Sequence, residues 1–162
     1  MTISLRPATA QDDFEAVAEL YLATWRATYV GQVPAVYLAQ LTPATWQPKK
    51  RWQRTVLAFD GRKVVGVCTF GPARPTKWQG CQEIYSLYVL LAYQHQRIGQ
   101  RLIQAAIARL TEPMPVMLAV LASNHAARRF YEVQGFVAVG EPYLVPLPQG
   151  VTLTEQAYQL KK

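Results

Sequence analysis

The stretch from Glu83 to Leu121 constrains the fold most tightly, because two apolar runs are joined there by a single amphipathic segment. The first run, Ile84-Tyr85-Ser86-Leu87-Tyr88-Val89-Leu90-Leu91, is rich in aliphatic and aromatic side chains, as a strand covered on both faces should be. Ile98, Leu102, Ile103, Ala106, Ile107 and Leu110 then recur at helical spacing, with Gln100, Arg101, Gln104 and Arg109 on the other face. The second run is Val116–Leu121. A strand, a helix and a strand in this succession should place the two strands parallel.

Between the first strand and the helix lies Tyr93-Gln94-His95-Gln96-Arg97-Ile98-Gly99. The first N–H groups of a helix have no partner within it and sit at the positive end of the helix dipole, so the turn suits an anionic group. Gly99 would let that group come close. The segment reads as a phosphate-binding turn, although an ordinary strand-to-helix connection explains it as well.

Flanking elements can be placed from the same kinds of signal. Ile3–Arg6 reads as a short first strand, and Thr9-Ala10-Gln11-Asp12 resembles a capping box for the helix carrying Phe14, Val17, Ala18, Tyr21, Leu22 and Trp25. Prolines break the region from Pro34 to Arg54 into one or two short helices. Val56–Phe59 and Lys63–Phe70 flank Asp60-Gly61-Arg62, which predicts a hairpin, and Arg74–Gly80 reads as a loop. A last helix over Asn124–Gln134, capped by Ser123 or Asn124 and ended by Gly135, precedes two C-terminal strands.

With 162 residues, of which 51% are hydrophobic, the expectation is one domain over residues 1–162. The start, Met1-Thr2-Ile3-Ser4-Leu5-Arg6, lacks the regions of a signal peptide, and no apolar run approaches the roughly 20 residues of a membrane helix, so the expected location is cytoplasmic, away from membranes. Cys68 and Cys81 show no metal-binding spacing; two free thiols and no metal site are expected. The formal charge of +7 suits a polyanion or a phosphorylated cofactor. Basic residues are scattered apart from Lys49-Lys50-Arg51 and Arg54, and no basic helix carries interleaved aromatics, so nucleic acid is the weaker reading.

The turn resembles the acetyl-coenzyme A signature of the GCN5-related N-acetyltransferases (GNAT), Q/R-x-x-G-x-G/A between a strand and a helix. Gln94 and Gly99 match, with Tyr93 and Leu102 flanking, while Arg97 replaces the central glycine. A second match is Asn124-His125-Ala126-Ala127-Arg128-Arg129-Phe130-Tyr131-Glu132-Val133-Gln134-Gly135-Phe136, which is similar to the family's N-x-x-A-x-x-F-Y-E-x-x-G-F pattern. The element order also resembles that of the family. The resemblance implies an α/β (α+β) fold: a twisted, mixed but mostly antiparallel sheet of about six or seven strands, flanked by about four helices, with a parallel strand-helix-strand cofactor unit.

It further implies an acetyltransferase that moves the acetyl group of acetyl-coenzyme A to an amine by direct attack, through a tetrahedral intermediate. By this resemblance the cofactor is held by Leu87, Tyr88, Val89, Gln94, His95, Gln96, Arg97, Ile98, Gly99, Gln100, Arg101, Leu102, Asn124, Ala127, Arg128 and Tyr131. The strand near Leu87-Tyr88-Val89 would open beside its neighbour, leaving the amides of Leu87 and Val89 for the carbonyl and the pantetheine arm. Tyr131 would protonate the leaving thiolate, a phenol of ordinary pKa about 10 being protonated at neutral pH. Glu83, at the head of the central strand, is the candidate base for the amine, with Tyr85 and His125 as lesser candidates.

Acceptor recognition is expected from Trp25, Tyr29 and Tyr85, with Tyr37, Trp46, Trp52 and Tyr143 near in sequence or fold. Aromatics would suit a cationic amine, small-molecule or peptide, and also a hydrophobic peptide end. Two other readings stay open: a non-catalytic module that binds coenzyme A as a sensor or interaction surface, and a basic nucleic-acid-binding domain. A homodimer is an open alternative to a monomer.

Overall fold

A computed structural model describes residues 2–161. Seven strands form one sheet: β1 (Ile3–Pro7), β2 (Thr55–Asp60), β3 (Lys63–Pro72), β4 (Gln82–Val89), β5 (Val116–Leu121), β6 (Phe136–Pro146) and β7 (Thr152–Leu160). Their spatial order is β1-β2-β3-β4-β5-β7-β6. Every neighbouring pair is antiparallel except β4 and β5. Among the described residues four α-helices accompany it: α1 (Phe14–Tyr29), α2 (Ala35–Gln40), α3 (Ile98–Arg109) and α4 (His125–Val133). This is the mixed, mostly antiparallel α/β arrangement expected.

The two faces of the sheet carry different helices. On one, α3 buries Ile98, Leu102, Ile103 and Ala106 against Val56, Ala58, Val65, Ile84, Val116 and Leu118. On the other, α1 buries Phe14, Val17, Leu20 and Tyr21 against Leu57, Val64 and Val67. Removing a side chain such as Leu102 from water contributes about 1.5–3 kcal/mol. Gly66 allows α3 to lie close on β3, since a Cβ there would sit 2.8 Å from Leu102 Cδ1.

Local signals in the sequence gave most boundaries and missed one cap. Thr9–Asp12 closes a turn ahead of α1, with the Thr9 amide donating to Asp12 Oδ2 at 2.7 Å, and Asp12 is also gripped by Arg6. The cap itself is Asp13, whose Oδ1 accepts from the Ala16 amide at 3.0 Å. Asp60 and Lys63 close the β2–β3 hairpin, with Gly61 at φ +61°. The Arg74–Gly80 loop contains a single 3-10 turn, Thr76–Trp78. Cys68 and Cys81 are free thiols.

One expectation about β4 needs correction. Its first half is buried, but Tyr85 to Val89 are only partly so. The reason is topological: β4 and β5 pair only at Gln82 with Val116 and Glu83 with Met117, then diverge. The apolar run covers a cleft wall in its second half rather than a continuous interior.

Candidate active site

The cleft opens where β4 leaves β5 and occupies about 1180 Å³. Leu90 donates its amide to Val65 on β3 at 2.9 Å. In an antiparallel ladder the direction of bonding alternates, so Tyr88 and Ser86 also bond towards β3, whereas the Leu87 and Val89 amides aim into the opening. A register shift at the Thr69/Phe70 step of β3 leaves Tyr85 as the extra residue on β4.

At the end of β4 the chain enters the turn through a 3-10 segment, Leu91–Tyr93. Gln94 Nε2 donates to the Val89 carbonyl at 3.1 Å, tying turn to strand. His95 at φ 63° and Arg97 at φ 64° are both left-handed, and Arg97 is the N-cap of α3. Left-handed residues alternating with others in a loop direct successive N–H groups into a concave anion site, a nest. The position where the signature carries glycine takes the conformation a glycine would adopt, despite the arginine.

The donor set is narrower than expected. The Arg101 amide donates to the Arg97 carbonyl at 3.1 Å, so the amides pointing out of the helix end with Gln100. The Arg101 side chain turns away to the Ile3 carbonyl at 3.3 Å, and Leu102 is fully buried in the core. Gln96 points back to the Ala92 carbonyl. Arg128 also leaves the cleft, because its Nε donates to the Tyr158 hydroxyl and its Nη1 to the Ala122 carbonyl, each at 3.0 Å. The structure thus brings Leu87, Tyr88, Val89, Gln94, His95, Arg97, Ile98, Gly99 and Gln100 to the cleft wall, but not Gln96, Arg101, Leu102 or Arg128.

Across the opening, α4 presents Asn124, Ala127 and Tyr131. Asn124 caps α4, its Oδ1 accepting from the Ala127 amide at 3.2 Å, which leaves its Nδ2 as a donor to the cleft. The motif's Glu132 accepts from the Tyr158 hydroxyl at 2.9 Å and serves packing. Tyr131 stacks edge-on to Phe130 and Phe136, and burial pushes its phenol above the ordinary value.

The other half of the cleft is aromatic. Trp25 Nε1 donates to the Tyr88 hydroxyl at 3.0 Å, Tyr21 and Ser86 pair their hydroxyls at 3.2 Å, and Trp25 and Tyr29 meet edge-on at 4.6 Å. Trp46, Tyr85 and Tyr143 line the same end. Tyr37 and Trp52 instead pack into helix-side clusters. His125 is exposed at the start of α4.

Glu83 is placed otherwise than a strand-edge acid would be. Its side chain is 4% exposed and paired with Arg74, whose Nε meets Oε1 at 3.3 Å and whose Nη2 meets Oε2 at 3.0 Å; the Arg74 amide adds a bond to Oε1 at 2.9 Å. A second acid, Glu155 on β7, went unremarked in the sequence. It lines the cleft, and burial raises its carboxyl pKa. Lying between Thr154 and Gln156 in a C-terminal strand, it carries no local mark of its place. Among the described residues no group of three or more His, Cys, Asp or Glu could hold a metal, and no helix is long and apolar enough to cross a membrane.

The geometry has counterparts elsewhere. The uncharacterized N-acetyltransferase YuaI of Bacillus subtilis is 29% identical over 96 residues, 57% of this chain and 56% of that protein; the match thus spans about half the length of this curated relative. The PaiA N-acetyltransferase of Thermoplasma acidophilum, solved with coenzyme A, superposes with a TM-score of 0.71 at 20% identity, covering 96% of this chain and 98% of that one. YncA of Salmonella typhimurium, a putative acetyltransferase solved with acetyl-coenzyme A, gives 0.70 at 19% identity over 100% and 96%. At such identities the likeness concerns the fold. The sequence profile described as "Acetyltransferase (GNAT) family" matches residues 14–136, a span that runs from α1 through the opened strand pair to the end of the α4 motif. By that match, and with the fold to accompany it, the chain belongs to the acetyltransferase (GNAT) family.

Proposed function

We propose that this protein is an N-acetyltransferase that uses acetyl-coenzyme A to acetylate an amine, either a small molecule or a peptide. The observation that carries the reading is the opening between β4 and β5 beside a nest-like turn at the head of α3. The residues fit the cofactor: outward amides from Ile98 to Gln100 lie at the positive end of α3, and the Leu87 and Val89 amides aim into the gap. Bound there, acetyl-coenzyme A supplies an activated acetyl thioester.

The chain's own groups then have distinct tasks. The amides of Ile98, Gly99 and Gln100 bind the pyrophosphate, with Arg97 beside them. The Val89 amide orients the pantetheine arm together with Asn124 Nδ2. The Leu87 amide faces the thioester carbonyl, where a fixed donor lowers the barrier by about 3 kcal/mol as charge grows on oxygen. Tyr131, kept protonated by its burial, hydrogen-bonds the sulfur and donates as the thiolate leaves. Trp25, Tyr29 and Tyr85 wall the acceptor end and exclude water.

Calorimetric titration with acetyl-coenzyme A, followed by thiol release across a panel of amines, tests the reading. One-to-one binding with amine-dependent thiol release is the expected result. Binding without release from any amine would favour a coenzyme A-binding module instead. Absence of binding, with salt-sensitive attachment to DNA, would favour the nucleic-acid reading.

A further inference from the structure

We propose that Glu155, rather than the ion-paired Glu83, takes the proton from the attacking amine; the inference rests on the acetyl-transfer reading above.

The two acids lie on one face of the sheet. Along β7, Tyr158 belongs to the α3-side core, whereas Leu153 and Ala157 belong to clusters on the α1 side, so alternation puts Glu155 on the α1 side with them. Its registered neighbours are Leu121 on β5 and Tyr143 on β6. Glu83 registers with Met117, two positions before Ala119, which is paired with Ala157. Ala119, whose register position lies between those of the two acids, lines the cleft along with them.

Their partners differ. Both oxygens of the buried Glu83 are engaged by Arg74, so protonating Glu83 would break a charge-assisted pair that offsets the burial of its carboxylate. Among the described residues Glu155 has no ion-pair partner, and the residue opposite it on β6 is the uncharged Tyr143. The charged and titratable groups facing it are Lys77, Glu83, Arg74, Tyr143 and Tyr29. Lys77 sits on the Tyr143 ring, 3.1 Å from its centroid. Glu155 shares the cleft wall with Tyr29 and with Tyr131 of the proposed reaction centre.

Burial raises the Glu155 pKa, and the Lys77 charge opposes that rise; a carboxyl above its ordinary value accepts a proton more readily near neutral pH. The balance is complete. The ammonium acceptor gives one proton to Glu155, and its freed lone pair forms the C–N bond at the thioester carbonyl. The C–S bond breaks, its electron pair leaving with sulfur. A proton reaches the thiolate from Tyr131, which is replenished by the second proton lost from nitrogen. Glu155 then returns its proton to solvent.

Two readouts test this. In the ligand-free protein labelled with carbon-13 at the glutamate carboxyls, Glu155→Gln identifies one resonance, expected to titrate above the ordinary glutamate value of about 4.3. In thiol release with benzylamine and a free-N-terminal tripeptide, Glu155→Gln should cost about 100-fold near neutral pH, leave acetyl-coenzyme A affinity unchanged, and lose less as pH approaches the amine's own pKa. Glu155→Asp should restore part of the rate. A Glu155 carboxyl titrating at the ordinary value, a Glu155→Gln rate within about threefold of wild type, or the same pH signature in Glu83→Gln alone would overturn the assignment. If wild type binds the cofactor and releases thiol with neither probe nor any other amine of the panel, the acetyl-transfer reading fails and this inference with it, an outcome distinguished by the silence of the wild type itself.

Discussion

Arg97 holds a left-handed conformation that costs a non-glycine residue about 1–2 kcal/mol, at the position where the family signature has glycine. The strain is tolerated because the surrounding loop is pinned by the Gln94–Val89 bond and by α3. Arg97→Gly should relieve it, offset by the roughly 0.5–1 kcal/mol greater entropy loss of glycine, for a net gain of at most about 1.5 kcal/mol in denaturant unfolding. If the arginine serves phosphate, cofactor affinity falls in the same variant. Tyr131 bears on chemistry instead. Tyr131→Phe keeps the ring packing on Phe130 and Phe136 and removes only the hydroxyl, so turnover should fall about 100-fold with cofactor affinity nearly intact by calorimetry. Equal turnover would remove Tyr131 from the mechanism.

At the scale of elements, the junction of β4 and α3 separates folding from binding. A Cβ on Gly99 would meet the Phe130 ring at 3.5 Å, an ordinary contact, and the backbone there is helical. Gly99→Ala should therefore leave stability unchanged or raise it by up to about 1 kcal/mol. A fall in acetyl-coenzyme A affinity in that variant would then report crowding of the ligand and not damage to the fold. The β1–α1 junction is held electrostatically: the Arg6 guanidinium, then the Thr9 amide, bring the Asp12 carboxyl down to about 2 from an ordinary 3.8. A depressed carboxyl stabilises the fold above its unfolded value and loses that contribution as pH falls from near 4 towards 2. Asp12→Asn should lower stability at neutral pH by under about 1 kcal/mol, as for other surface pairs, with the difference vanishing near pH 2 in chemical-denaturation curves.

Across the whole molecule, β4 and β5 are joined at two residue pairs, so the halves of the sheet meet over a partly open seam. A ligand seated there touches β4, α3 and α4 together. Acetyl-coenzyme A at about 100 times its Kd should stabilise the folded state by about 2.7 kcal/mol and raise Tm by several degrees; an unchanged Tm would contradict binding in the seam. The order of elements from β1 to β7, the turn before α3 and the helix of the Asn124–Phe136 motif were all legible in the sequence, because periodicity, caps and glycines act between residues close along the chain. Leu87 and Val89 were anticipated through resemblance, and their direction became visible only with the ladder to β3. Arg101, Leu102 and Arg128 were assigned by nearness to a motif, yet helix phase and core packing turn them elsewhere. The pairing of Glu83 with Arg74 and the placement of Glu155 opposite Tyr143 on the cleft wall were decided by tertiary structure alone. Arg74 and Glu83 meet across the connection of β3 to β4, whereas the place of Glu155 depends on β7 inserting between β5 and β6, a non-local pairing whose register no short stretch of sequence records.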